Sequence, residues 1–148
     1  MSRRRPAQAG VTLIELMVVV TIIALFVALV GPALFKNVGK GRITAAKSQI
    51  ESFGTALGTY KLDVGTFPTT EQGLQALRVK PSDVQNWNGP YLPKDVPLDP
   101  WGHEYFYQCP GSHGPFDIIC YGRDGVEGGE GYDADINSWE LGGARKQE

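Results

Sequence analysis

The chain has 148 residues, 42% of them hydrophobic and 20% charged, with a formal net charge of −2 at pH 7. That balance excludes a basic face for nucleic acid, and loss of Arg3, Arg4 and Arg5 with a leader would make the chain more acidic still. With about 35 residues in a leader and an apolar run, one compact domain of roughly 110 residues and a single small core remain.

The run "VTLIELMVVVTIIALFVALVGPALF", Val11 to Phe35, holds one ionisable residue, Glu15. Its uncharged part, from Leu16 to Phe35, makes about 30 Å of helix at roughly 1.5 Å per residue, the thickness of a bilayer core. A secretory signal places its small-residue cleavage site after the apolar stretch, whereas here Gly10 precedes it. The segment therefore reads as a membrane anchor whose basic head, "MSRRRPAQAG", stays on the cytoplasmic side. Charge alone does not fix that orientation, because Lys36, Lys40, Arg42 and Lys47 follow the span. A lone carboxylate in hydrocarbon costs about 2.5 to 3.5 kcal/mol at a helix centre and less near an end, so Glu15 needs a partner or a function. The alternative is solvation of Glu15 by headgroups at the membrane interface. Thr12 is expected to hydrogen-bond within its own helix.

Gly31 and Pro32 predict a bend or a local unwinding in the apolar helix, since proline removes a backbone donor. Beyond them Ile43, Ala46, Ile50, Phe53, Leu57 and Tyr60 form one stripe of an amphipathic helix. Together the two segments predict one helix of about 50 residues, weak in its middle at Gly39 and Gly41. Thr69 and Gln72 have capping-box spacing and predict a short helix over "TEQGLQALRV" that stops before Pro81. Residues 82–101 are irregular, packed through Trp87, Tyr91, Leu92 and Trp101, and end in a type I turn at Asp99-Pro100-Trp101-Gly102.

"HEYFYQC" and "PFDIICY" flank "PGSHG" and predict two antiparallel strands. A hairpin closed by residues 109 and 116 places Tyr105 opposite Cys120. Cys109 then lies about 13 Å along the strand from Cys120's partner, too far for a disulfide, so both thiols are expected to be unpaired.

The last stretch, "GRDGVEGGEGYDADINSWELGG", crowds Asp124, Glu127, Glu130, Asp133 and Asp135 among glycines. Hard cations such as calcium take carboxylate and carbonyl oxygens in turns of this kind, and a solvated acidic loop is the other reading. The spacing is not that of an EF-hand: counting from Asp133 puts Ser138 and Ala144 where that motif needs glycine and glutamate. His103 and His113, the only histidines, belong to no metal or triad spacing, and no phosphate loop or nucleophile elbow occurs. No catalytic residue is expected.

"GVTLIELMVVVTIIALFVALVGP" resembles the leader-peptidase site and anchor of type IV pilin-like proteins. The segments "GTFPTTEQGLQAL", "WNGPYLPKDVPLDPWGHEYFY", "PGSHGPFDII" and "DGVEGGEGYDADINSW" together resemble the major pseudopilins of type II secretion systems, the general secretion pathway protein G family. The resemblance covers nearly all of residues 10 to 139. It implies an α+β fold, a pilin-like long N-terminal helix packed on a small antiparallel sheet with a calcium-binding C-terminal loop. It further implies a cleaved leader over 1–10, an anchor and assembly helix over 11–35 and a periplasmic domain over 36–148. Cleavage would fall between Gly10 and Val11, with N-methylation of Val11, and Glu15 would meet the Val11 amine of a neighbouring subunit. The family more often starts its mature chain with phenylalanine or methionine, and a Lys or Arg often stands where this chain has Ala9. The implied calcium ligands are Asp124, Asp133 and Asp135 with a carbonyl from Tyr121, and Glu127 and Glu130 stand outside the ligand set. Where relatives often have "LGADG" this chain has "YGRDG", which brings the charge of Arg123 beside the site.

The function so implied is structural: inner-membrane subunits polymerise into a periplasmic fibre that helps drive folded proteins across the outer membrane. The implied partners are copies of the chain itself, minor pseudopilins, the prepilin peptidase, an inner-membrane assembly platform with its ATPase, and the outer-membrane secretin. One rival is a type IV pilin or minor pilin in adhesion or DNA uptake, which shares the anchor but should lack the "PTTEQGLQAL" to "LDPWG" series. The other is a membrane-tethered periplasmic enzyme or binding protein with the acidic loop as its metal site.

Overall fold

The structure, a computed structural model, describes residues 10–141, with the side chains of 31–37 excepted; the leader residues 1–9 lie outside the described residues. Contacts divide the chain into two units, Met1–Val38 and Gly39–Glu148. The helix α1, Leu13–Val64, has 52 residues and its assignment runs unbroken through Gly31 and Pro32. Thr12 starts it, its Oγ1 accepting the Glu15 N–H at 3.3 Å. Thr21, inside the apolar stretch, donates its hydroxyl to the Met17 carbonyl at 2.7 Å, which satisfies the group without water.

Within the second unit the expected stripe is the spine of the core. Ala46, Ile50, Phe53, Leu57 and Tyr60 are buried and Ile43 is partly so. Each large side chain so covered contributes about 1.5 to 3 kcal/mol relative to exposure. The Phe53 ring meets Tyr105 edge-on at 5.1 Å, and Tyr60 meets Tyr91 at 5.4 Å. The irregular stretch packs through the residues expected of it: Leu92 is buried, and Trp87, Tyr91 and Trp101 lie against the core. Polar edges hold the aromatics in place. Trp87 Nε1 donates to the Ala76 carbonyl at 2.8 Å, and the Tyr91 hydroxyl donates to Asp63 Oδ2 at 2.9 Å.

The sheet is antiparallel in the order β1 (Phe106–Gln108), β2 (Asp117–Cys120) and β3 (Ile136–Asn137). Its first hairpin has the expected register, pairing Phe106 with Ile119, Tyr107 with Ile118 and Gln108 with Asp117. Cys109 and Cys120 are accordingly free. β3 and the short helix α2, Ser138–Leu141, were not expected; β3 pairs Ile136 with Cys120.

The helix expected over "TEQGLQALRV" is shorter and tighter. The capping box forms, with Thr69 N–H donating to Gln72 Oε1 at 3.0 Å and Gln72 N–H to Thr69 Oγ1 at 3.2 Å. Gly73 then turns to φ 58°, which an α-helix does not allow, and only a 3₁₀ turn over Leu74–Leu77 follows. At Asp99 the expected turn closes, Gly102 N–H donating to the Asp99 carbonyl at 3.0 Å.

Candidate functional site

Two regions carry the candidate residues, and each lies within one unit. At the start of the chain Gly10 and Val11 are exposed and precede α1. Thr12 and Glu15 stand in capping-box spacing, a signal that the sequence reading did not use. Glu15 lies in the first helical turn, where the positive end of the helix dipole favours a carboxylate. Among the described residues no Lys, Arg or His pairs with it. The stretch Leu13–Val30 is long and apolar enough to cross a membrane, and none of it is buried within the chain.

The acidic loop is shaped by its backbone. Gly122 and Gly129 have φ of 67° and 87°, and a Cβ on either would come within 2.9 Å of the Asp133 carbonyl oxygen. Those two turns fold the loop back onto residues 133–134. Arg123 N–H donates to the Tyr132 carbonyl at 3.0 Å, and the Tyr132 ring covers Gly39 of α1, where any Cβ would collide with it. The carboxylates have local tasks. Asp124 Oδ1 accepts the Val126 N–H at 3.2 Å, and Asp135 Oδ2 accepts the Gly128 N–H at 2.9 Å. Asp133 is gripped by Arg123, whose Nε and Nη2 donate to its two oxygens at 2.7 and 2.9 Å. That bond raises the Arg123 guanidinium above its ordinary pKa.

The loop fits a hard cation in part. Asp135 Oδ1 is buried and accepts no hydrogen bond from the described protein groups, so a cation or an ordered water is needed to satisfy it. The donors are all oxygens, as calcium prefers. Asp133, in contrast, has both oxygens committed, and among the described residues no three His, Cys, Asp or Glu side chains converge as a ready metal site.

Two buried aspartates were missed by the sequence reading as structural centres. Asp99 is 5% exposed; its Oδ1 accepts the N–H groups of Trp101 and His103 at 2.9 and 2.8 Å, and its Oδ2 accepts the Cys120 thiol at 3.2 Å. Asp117 is 2% exposed and holds the hairpin loop, accepting the Ser112 N–H at 2.7 Å and contacting His113 Nδ1 at 3.1 Å. The His113 ring stacks on Trp139 at 3.8 Å, which ties that loop to α2. The only legible signal for the first was the turn sequence "DPWG".

Cys120, Asp99 and His103 are neighbours, as a thiol nucleophile and its helpers would be, but the chemistry is wrong. Burial, and then the bond to Asp99, push the Cys120 thiol up to about 12, so it is not a thiolate at neutral pH. His103 Nδ1 lies 3.6 Å from Asp99 Oδ2, too far for a hydrogen bond. The expected result of alkylation at pH 8 is labelling of half-buried Cys109 alone, with Cys120 reacting only after unfolding. Equal labelling of both in the folded protein, read by peptide mass spectrometry, would contradict this packing.

Comparison with known proteins places both regions in one family. Residues 33–139 match the family described as Type II secretion system (T2SS), protein G, and residues 5–31 match the prokaryotic N-terminal methylation motif. The type II secretion system core protein G of Pseudomonas aeruginosa is 46% identical over 140 residues, covering 93% of this chain and 99% of that protein. Its counterpart in Vibrio cholerae is 44% identical over 137 residues, covering 90% and 93%. The crystal structure of the major pseudopilin from the type 2 secretion system of enterohaemorrhagic Escherichia coli superposes with a TM-score of 0.60 at 36% identity, covering 72% of this chain and 94% of that one.

Proposed function

The chain belongs to the type II secretion system protein G family and is a pseudopilin, a structural subunit of the pseudopilus and not an enzyme; from that premise we propose how its parts work. The prepilin peptidase cuts between Gly10 and Val11, and the new Val11 amine is methylated. The anchor holds the subunit in the inner membrane with its N-terminus cytoplasmic and residues 36–148 in the periplasm. On assembly, Glu15 of one subunit pairs with the Val11 ammonium of a neighbour, and the anchors leave lipid to bury one another in the fibre.

One observation carries this reading. A capped helix start presents Glu15, with no pairing cation among the described residues, at the head of an apolar stretch that the chain itself does not cover. Two opposite charges that are each costly in lipid offset that cost by meeting, and a register shift that separates them is penalised. On this reading the work comes from polymerisation, driven by an inner-membrane platform and its ATPase. Minor pseudopilins and the outer-membrane secretin complete the machine. A divalent cation, calcium by its oxygen donors, would be held by Asp124, Asp135 and the Tyr121 carbonyl, with Asp133 joining once released from Arg123. When bound it supplies a cross-link within the loop.

The test is the mass of the protein extracted from membranes. The expected species begins at Val11 and carries one methyl group on its amine. Recovery of the chain with "MSRRRPAQAG" intact, from cells with an active prepilin peptidase, would contradict the assignment of Gly10 and Val11.

A further inference from the structure

The fork of Arg123 on Asp133 is the feature of the acidic loop that a metal-centred reading does not use. Two donors of one guanidinium meet two oxygens of one carboxylate at 2.7 and 2.9 Å, the planar pairing for which arginine is suited and lysine is not. The backbone repeats the same junction, since Arg123 N–H donates to the Tyr132 carbonyl at 3.0 Å. On the other side of that junction Gly122 is pressed against the Asp133 carbonyl. The two ends of the loop, residues 122–123 and 132–133, are therefore joined by a side-chain fork, a backbone bond and a close backbone contact. None of the three involves a metal.

We propose that Arg123 is the built-in cation of the C-terminal loop: it closes the loop without a metal, and a divalent cation must displace it from Asp133 to recruit that carboxylate. The closure stands by itself, and the competition rests on the calcium reading above. Calcium needs six to eight oxygens, and two of those within the loop already accept hydrogen bonds from the guanidinium. A fixed positive charge beside the site also repels a second cation. The displacement remains possible because the pair is not deeply buried: the side chains of Arg123 and Asp133 are 61% and 30% exposed. Water and salt can therefore take over the released guanidinium.

The experiment uses the full chain in detergent micelles, as wild type, Arg123→Ala and Arg123→Lys, each in chelator and in calcium chloride. Calcium affinity is read by isothermal titration and loop closure by the rate of cleavage after Glu127 and Glu130 by a glutamate-specific protease, whose sites all three forms share. In chelator the wild-type loop is expected to resist cleavage and Arg123→Ala to be cut faster, with Arg123→Lys between them because it keeps the charge and loses the fork. Calcium is expected to protect the alanine variant and to bind it roughly tenfold more tightly than wild type, a difference of about 1.4 kcal/mol. Equal cleavage of wild type and Arg123→Ala in chelator would overturn the closure by Arg123. Equal calcium affinity in the two would overturn the competition. If neither binds calcium while the alanine variant is still cut faster, the calcium reading fails and Arg123 stands as the cation that closes the loop.

Discussion

Replacing Glu15 by leucine is expected to abolish fibre assembly while leaving membrane insertion and the folded domain unchanged. The substitution makes the apolar stretch more hydrophobic, so the anchor loses nothing in lipid. Under the proposed pairing it would leave the Val11 ammonium of each neighbour without an anion in the low-dielectric fibre core. Removing one partner of such a buried pair lowers association by a factor of about a hundred or more. Thr12→Ala is the control, because it removes the bond from Glu15 N–H to Thr12 Oγ1 but keeps the carboxylate. Its loss is only that of a helix cap, about 1 kcal/mol. Electron microscopy of fibres from cells producing each variant decides the matter. Abundant fibres from Glu15→Leu would show that the carboxylate has no part in assembly.

The second large effect is in the core. Phe53→Ala is expected to destabilise the domain by about 3 to 5 kcal/mol, the usual cost of emptying a buried aromatic site. Phe53 is 0% exposed, follows Ile50 and precedes Leu57 on the buried stripe, and meets Tyr105 at a ring distance of 5.1 Å. It therefore joins α1 to the segment that leads into β1. For a domain with a total stability of about 5 to 15 kcal/mol, the melting temperature should fall by ten degrees or more, roughly. Leu62→Ala, at a position that is 85% exposed on the same helix, should stay within about 0.5 kcal/mol of wild type. A fall of less than about 1 kcal/mol for Phe53→Ala, by circular dichroism, would mean that the stripe is not the spine of the core.

The parts of the fold that repeat a pattern were legible in the sequence. Ile50, Phe53, Leu57 and Tyr60 follow the helical period, and the hairpin register follows from where "PGSHG" lies between two apolar alternations. What failed had no period to read. β3 is two residues long and has its place only because β2 offers an unpaired edge to Ile136 and Asn137. The stretch after Thr69 carried a genuine helix-start signal, and the reversal at Gly73 overrode it. Asp99 and Asp117 looked like turn and strand residues; their burial follows from backbone N–H groups that the turns leave without other acceptors. In the acidic loop composition identified the carboxylates, but not that Arg123 would take Asp133, because that pairing depends on how glycines 122 and 129 fold the chain back.

The most direct measurement of the central claim is secretion by the bacterium that makes this chain, before and after deletion of its gene and after return of the wild-type or the Glu15→Leu form. The expected result is that exported enzymes accumulate in the periplasm on deletion, reach the medium again with the wild-type chain and stay trapped with Glu15→Leu. Undiminished secretion in the deletion strain, or full rescue by Glu15→Leu, would contradict the account of this chain as the fibre subunit whose assembly depends on that carboxylate.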